Sequence, residues 1–217
     1  MEIKDPKTLF GWFEEHGYGY YPVPDPTAVY NKEYYRKYEG YALTEIGQKI
    51  NAFRLNLTNA YVGREKQVLD IGIGSGTFLH ARGNTKGFDV NPYTVELLKE
   101  QGLFVDPYTD DISEFKGFTF FDSFEHIKYP QDLLLKMKHG QYVIMAIPIF
   151  TGKEHVLRSK HFRMDEHYHY FTHEGLVSYM QGLGFGYVTN AKGEMIYGRE
   201  DIHSYVFLRS NTIKSSI

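Results

Sequence analysis

The chain has 217 residues, no cysteine, 42% hydrophobic residues and a net charge of −3. That length can bury one sizeable core, and the lack of cysteine excludes disulfides, thiolate zinc sites and thiol nucleophiles. The acidic balance gives no field favouring nucleic acid; no apolar run nears the ~20 residues that cross a bilayer, and the N-terminus lacks the apolar centre of a signal peptide, so a cytoplasmic protein without membrane contact is expected.

Residues 1–60 are thick with tyrosine, and Pro22, Pro24 and Pro26 alternate in a way that favours extended backbone. Ile46, Ile50, Phe53, Leu57 and Tyr61 then recur at three and four, the spacing of a helix. This region reads as an N-terminal helical cap on a main domain spanning 61–217. From Gln67, short apolar runs alternate with helical patterns. Strands are expected at 68–71, 86–90, 103–105 and 118–121, with helices at 77–82, 92–101 and 130–138. The fully apolar run QYVIMAI reads as a strand covered on both faces. Thr172 looks like the cap of a helix reaching about Leu183, and 187–191 and 205–208 read as a closing hairpin. Alternation of this kind predicts an α/β fold with a doubly wound parallel sheet and helices on both faces.

The stretch VLDIGIGSGTFL places Gly72, Gly74 and Gly76 between the first of these strands and its helix. Main-chain N–H groups there can hold a polar ligand if no side chain blocks it. Dinucleotide folds space their glycines as G-x-G-x-x-G; here Asp70 precedes the first glycine and the third comes one residue early. The next strand, in KGFDVNP, ends on Asp89, where a carboxylate can accept both hydroxyls of a ribose. Asp110 and Asp111 could face the amino group of an adenine, or belong to a solvated loop.

The segments DIGIGSG, GFDVNP and FTFFDSFEHI resemble motifs of the class I S-adenosylmethionine-dependent methyltransferases. The nearest likeness is to the group with a D-x-x-E-H segment, which includes ubiquinone-pathway O-methyltransferases, and it covers about residues 67–208. It implies a Rossmann-like sheet of seven strands, mostly parallel with an antiparallel last strand, and S-adenosyl-L-methionine as cofactor. By the same resemblance Gly72 and Gly74 approach the methionine part, with Gly76 in the same loop, and Asp70 braces that loop. Asp89, with Val90 beside it, would hold the ribose, and Phe121 or Asp122 would lie next to the cofactor. Asp122, Glu125 and His126 match a run that some relatives associate with a divalent metal. The alternative, in which Glu125 and His126 only organise the loop, stands ahead, and no metal is expected. The stretch from Glu166 to Thr172 matches one that lines the acceptor pocket in relatives. His126, His167 or His169 is therefore the expected general base or acceptor-orienting group. In that family the cap commonly closes over the cofactor, so Tyr34, Tyr35 and Tyr38 would form an aromatic lid, with Arg36 and Lys37 placed to meet an anionic acceptor. The expected activity is methyl transfer to a small molecule, at oxygen. A nucleic-acid methyltransferase and a non-catalytic binder of the cofactor are the alternatives; against the first, FDSF stands where amino-methylating DNA enzymes carry [DN]-P-P-[YF].

Overall fold

The computed structural model describes residues 6–23 and 29–210. In chain order the strands are β1 (Gly11–Phe13), β2 (Tyr18–Tyr20), β3 (Val68–Ile71), β4 (Thr85–Phe88), β5 (Gly117–Phe121), β6 (Tyr142–Pro148), β7 (His169–Phe171), β8 (Phe185–Ala191) and β9 (Ile202–Arg209). The helices are α1 (Lys32–Ala42), α2 (Glu45–Val62), α3 (Thr77–Arg82), α4 (Pro92–Glu100), α5 (Pro130–Leu134), α6 (Lys153–Arg158), α7 (His173–Gly182) and α8 (Gly193–Ile196).

The main sheet has the order β4-β3-β5-β6-β9-β8. β4, β3, β5 and β6 run parallel, and β9 is antiparallel to both its neighbours. Side chains of a strand alternate between faces, and in β6 this sorts residues into two cores. Val143, Met145 and Ile147 pack with Leu133 and Leu134 of α5 and Leu176 and Met180 of α7. Ile144 and Ala146 pack on the other face with Val62 of α2 and Phe78 of α3. Both faces are covered, which is why the run is apolar throughout.

Three expectations are corrected. Among the described residues the sheet has six strands, not seven, because 103–105 contributes only the single bridge Gly87↔Phe104. Pro107 then offers no N–H, and the Asp106 carboxylate accepts from Tyr108 N–H at 2.9 Å, so the chain turns away before a ladder can form. The N-terminal region is not purely helical. β1 and β2 form a hairpin that pairs through β2 with β7 in a second, three-stranded antiparallel sheet. Finally, the tyrosine-rich run contains α1, whose first turn is capped by Asn31 accepting from Tyr34 N–H at 2.9 Å. Pro24 and Pro26 lie outside the described residues.

The hairpin is locked to the main domain at one close approach. Thr172 N–H donates to the Gly17 carbonyl at 2.8 Å, and a Cβ on Gly175 would stand 2.1 Å from that same oxygen. Gly175→Ala should therefore lower the free energy of unfolding by about 1–3 kcal/mol. Gly182→Ala, exposed at the end of α7 with no atom within 4 Å of the new methyl, should raise it by about 0.4–1 kcal/mol. Urea unfolding of the two variants beside the parent checks both signs.

Candidate active site

The parallel strands end on a cavity of about 530 Å³, placed where ligands bind in open α/β sheets. Its wall combines the β3–α3 loop, the ends of β4 and β5, the 161–168 segment, and the inner faces of α1 and α2.

Gly72, Gly74 and Gly76 all have positive φ, at 76°, 55° and 73°. The first two are glycine for different reasons. A Cβ on Gly72 would lie 2.5 Å from Ser123 Cβ, just past β5, whereas one on Gly74 would meet nothing within 4 Å. Gly74 therefore presents bare main chain to open space. Its N–H donates to Asp89 Oδ2 at 3.2 Å, while Asn91 N–H donates to Oδ1 at 2.8 Å. Burial pushes the Asp89 carboxyl up to about 6, and main-chain N–H groups from Asn91 and Gly74 hold it from rising further. Asn91 Nδ2 also donates to the Asn31 carbonyl at 2.9 Å, which ties this turn to the start of α1.

Asp70, Val90 and Phe121 line the cavity as well. Asp70 Oδ1 accepts from Thr119 Oγ1 at 2.6 Å, which ties the end of β3, where the glycine loop begins, to β5. Burial raises its carboxyl to about 7 against that hydrogen bond. Asp110 and Asp111 are exposed and absent from the wall. Asp110 accepts from Asp106 N–H and Asp111 from Ser113 N–H, each at 2.9 Å, so local turns keep both acids in solvent. Tyr108, from the same loop, reaches the cavity in their place.

Asp122 is committed elsewhere. Arg54 Nη2 donates to its Oδ2 at 2.7 Å, and Arg199 donates to both oxygens at 2.9 Å. The same guanidiniums hold Glu194, with Arg54 Nε at 2.7 Å and Arg199 Nη1 at 2.5 Å. Burial alone would raise the Asp122 carboxyl, but Arg199 and Arg54 hold it well below the usual range. Two arginines and two carboxylates thus close into a neutral ring, with Arg54 also resting 4.7 Å from the Phe121 ring centroid. An ion set of Asp122, Glu125 and His126 does not fit this structure, because Asp122 would have to leave both arginines. Arg54, Glu194 and Arg199 went unread in the sequence. The first had a signal: the buried stripe of α2 is Gly47, Ile50, Thr58 and Val62, and Arg54 falls on it.

The three candidate histidines separate. His126 and His167 line the cavity, with ring centroids 4.5 Å apart. His169 does not; β7 carries it against the hairpin, where Tyr18 Oη and the Ile127 carbonyl each lie 2.8 Å from one ring nitrogen. Both nitrogens are occupied, so His169 is withdrawn as a base. Burial, then Arg163, holds His126 down to about 4, and burial with neighbouring His126 holds His167 well below its ordinary value. Both imidazoles are uncharged at neutral pH. Glu125 is buried, and burial together with the Asp122 charge raises it to about 8. Tyr34, Tyr35 and Tyr38 stand on the wall, with Tyr34 and Tyr38 centroids 4.7 Å apart, while Arg36 and Lys37 are exposed and absent from it.

No family model and no curated protein matches the sequence. The fold is similar to that of 1,6-didemethyltoxoflavin-N1-methyltransferase from Burkholderia thailandensis, crystallised with 1,6-didemethyltoxoflavin and S-adenosylhomocysteine. That likeness has a TM-score of 0.58 at 15% identity over 82% of this chain and 84% of the other. It is also similar to magnesium protoporphyrin IX methyltransferase from Synechocystis PCC 6803 with bound S-adenosylhomocysteine, at a TM-score of 0.61 and 11% identity over 86% and 100%. The [4+2]-cyclase SpnF shares the fold too, at a TM-score of 0.55 and 11% identity over 76% and 82%. At such identities the likeness is one of fold, and the fold hosts more than one reaction.

The charged ring makes a stability prediction. Asp122→Asn keeps the shape but leaves two guanidiniums to one carboxylate, and unfolding at pH 7 should take about 2–4 kcal/mol less. A lowered folded-state pKa stabilises fully above the ordinary carboxylate value near 4 and fades as pH falls below it. The gap between parent and variant should therefore narrow as urea titrations move from pH 7 towards 3.

Proposed function

We propose that the chain is an S-adenosyl-L-methionine-dependent methyltransferase acting on a small-molecule acceptor at oxygen. One observation carries this reading: the open main chain at Gly74 and the Asp89 carboxylate lie across a 3.2 Å contact at the mouth of a large cavity. A carboxylate there accepts hydroxyls of an adenosyl ribose, and the bare loop lets the rest of the nucleoside approach. Fold likeness to two proteins crystallised with S-adenosylhomocysteine supports the same cofactor.

When bound, the cofactor supplies a methyl group activated by a sulfonium. The chain's part is to align an acceptor with it and to exclude water. Tyr30, Tyr34 and Tyr38 line the same cavity as the glycine loop. His126 and His167 present uncharged ring nitrogens to the same space and orient the acceptor oxygen. Arg54 and Arg199 are both neutralised within the ring, which favours an acceptor without phosphates over a nucleic acid.

Calorimetric titration tests the cofactor first. S-adenosylhomocysteine should bind at one site and NAD should not; binding of NAD alone, or of neither, would overturn the reading. Asp89→Asn should weaken the interaction at least about tenfold, the worth of one charge-assisted hydrogen bond. Since the Asp89 carboxyl sits at about 6, affinity should be full above pH 7 and decline as pH falls below 6, and the variant should lose that slope. Mass spectrometry of hydroxylated aromatics incubated with methyl-labelled cofactor then reads turnover.

A further inference from the structure

Beside the charged ring, Glu125, His126 and His167 bring together one carboxylate and two imidazoles, one donor atom from each within 4.8 Å of the others. Glu125 and His167 are 2% and 3% exposed. Glu125 Oε2 and His167 Nδ1 are buried without a hydrogen-bond partner among the described residues. Buried polar atoms are nearly always satisfied, and an orphan asks for an explanation such as an ion. The two orphans come from separate segments, β5–α5 and the stretch before β7, and both belong to residues of this cluster.

His126 is prepared in the way a ligand is. Its Nδ1 lies 3.0 Å from Tyr30 Oη and 3.6 Å from Glu166 Oε2, and Glu166 is in turn held by Arg163. Hydrogen bonding at one ring nitrogen fixes the tautomer and aims the other. With Nδ1 engaged in this way, Nε2 is the His126 nitrogen left to bind an ion.

We propose that Glu125, His126 and His167 form a binding site for a divalent transition-metal ion of the zinc, cobalt or manganese class. Tetrahedral ligands about 2.0–2.2 Å from one ion sit about 3.3–3.6 Å apart, so donor atoms up to 4.8 Å apart close on it by side-chain shifts of about an ångström. Two imidazoles with one carboxylate favour such ions over Mg²⁺, which prefers oxygen ligands and its own waters. Three protein ligands leave coordination positions open toward the cavity. The ion's part in holding the acceptor rests on the proposed function; the site itself rests on side-chain geometry.

The test uses the full chain stripped with a chelator and titrated calorimetrically with Zn²⁺, Co²⁺ and Mg²⁺. One Zn²⁺ or Co²⁺ should bind per chain, with Mg²⁺ at least about tenfold weaker. Glu125→Gln and His167→Phe should each weaken Zn²⁺ by at least about tenfold, while His139→Ala, an exposed histidine, should change nothing. Should either variant fail to fold, the zinc-edge X-ray absorption spectrum of the parent protein decides, and it should show two imidazole ligands. Absence of one-to-one binding, binding that survives both substitutions, Mg²⁺ as tight as Zn²⁺, or a spectrum without imidazole would overturn the site. S-adenosylhomocysteine titrated into the same samples separates the two proposals. Cofactor binding without the ion sinks only the metal site, and ion binding without the cofactor sinks only the methyltransferase reading.

Discussion

The contact between the Asp89 carboxylate and the Gly74 N–H holds together the ends of two parallel strands. The turn it closes forms the cofactor edge of the cavity wall. Through Asn91 the same turn reaches Asn31 and the start of α1, so the tyrosine wall takes its position from the ligand edge of the sheet. The glycine loop is further pinned by Gly72 N–H donating to the Phe88 carbonyl at 2.8 Å and by Ser123 filling the space in front of Gly72. A side chain at Gly72 would break the packing behind the loop, whereas at Gly74 it would intrude on the cavity in front.

Across the cavity, charge is managed by enclosure. Arg54 from α2 and Arg199 from the turn before β9 converge on Asp122, and both also bind Glu194 from α8, so remote parts of the chain meet in one cluster. Removing one member of such a cluster is far costlier than never having built it. Asp122 also holds a φ of 59°, unusual for a residue other than glycine, and the two guanidiniums fix its side chain. The net result is a wall with no spare cation from the ring, next to uncharged imidazoles and phenols.

Much of this was legible in the residues. The strand runs other than 103–105, the Thr172 cap, the glycine loop and the carboxylate just past β4 all follow from local chemistry, and the structure assembles them within three residues of expectation. What escaped did so for physical reasons. α1 has no buried residue, so no apolar stripe betrays it. The hairpin strands are three residues each, too short for alternation to register. In α2 the apolar count pointed to Ile46, which is 47% exposed, while the true inner face carries Gly47 and Arg54. A helix that lines a cavity and an ion-pair cluster buries small and charged residues, and apolar periodicity is blind to them. Asp110 and Asp111 take the solvated-loop alternative, because turns set by Asp106 and Pro107 lead the chain away from the cavity before they are reached. His169 looked no different from His167 in sequence, and only pairing with the hairpin tells them apart.

The central claim is that bare main chain at the β3–α3 turn meets an adenosyl group whose ribose is held by Asp89. Amide NMR of ¹⁵N-labelled protein titrated with S-adenosylhomocysteine tests it most directly. The account predicts that the Gly74 resonance moves most, with those of Gly72 and Val90 moving beside it, as the ligand takes over Asp89. Saturable binding that leaves these three amides in place while others shift would contradict it.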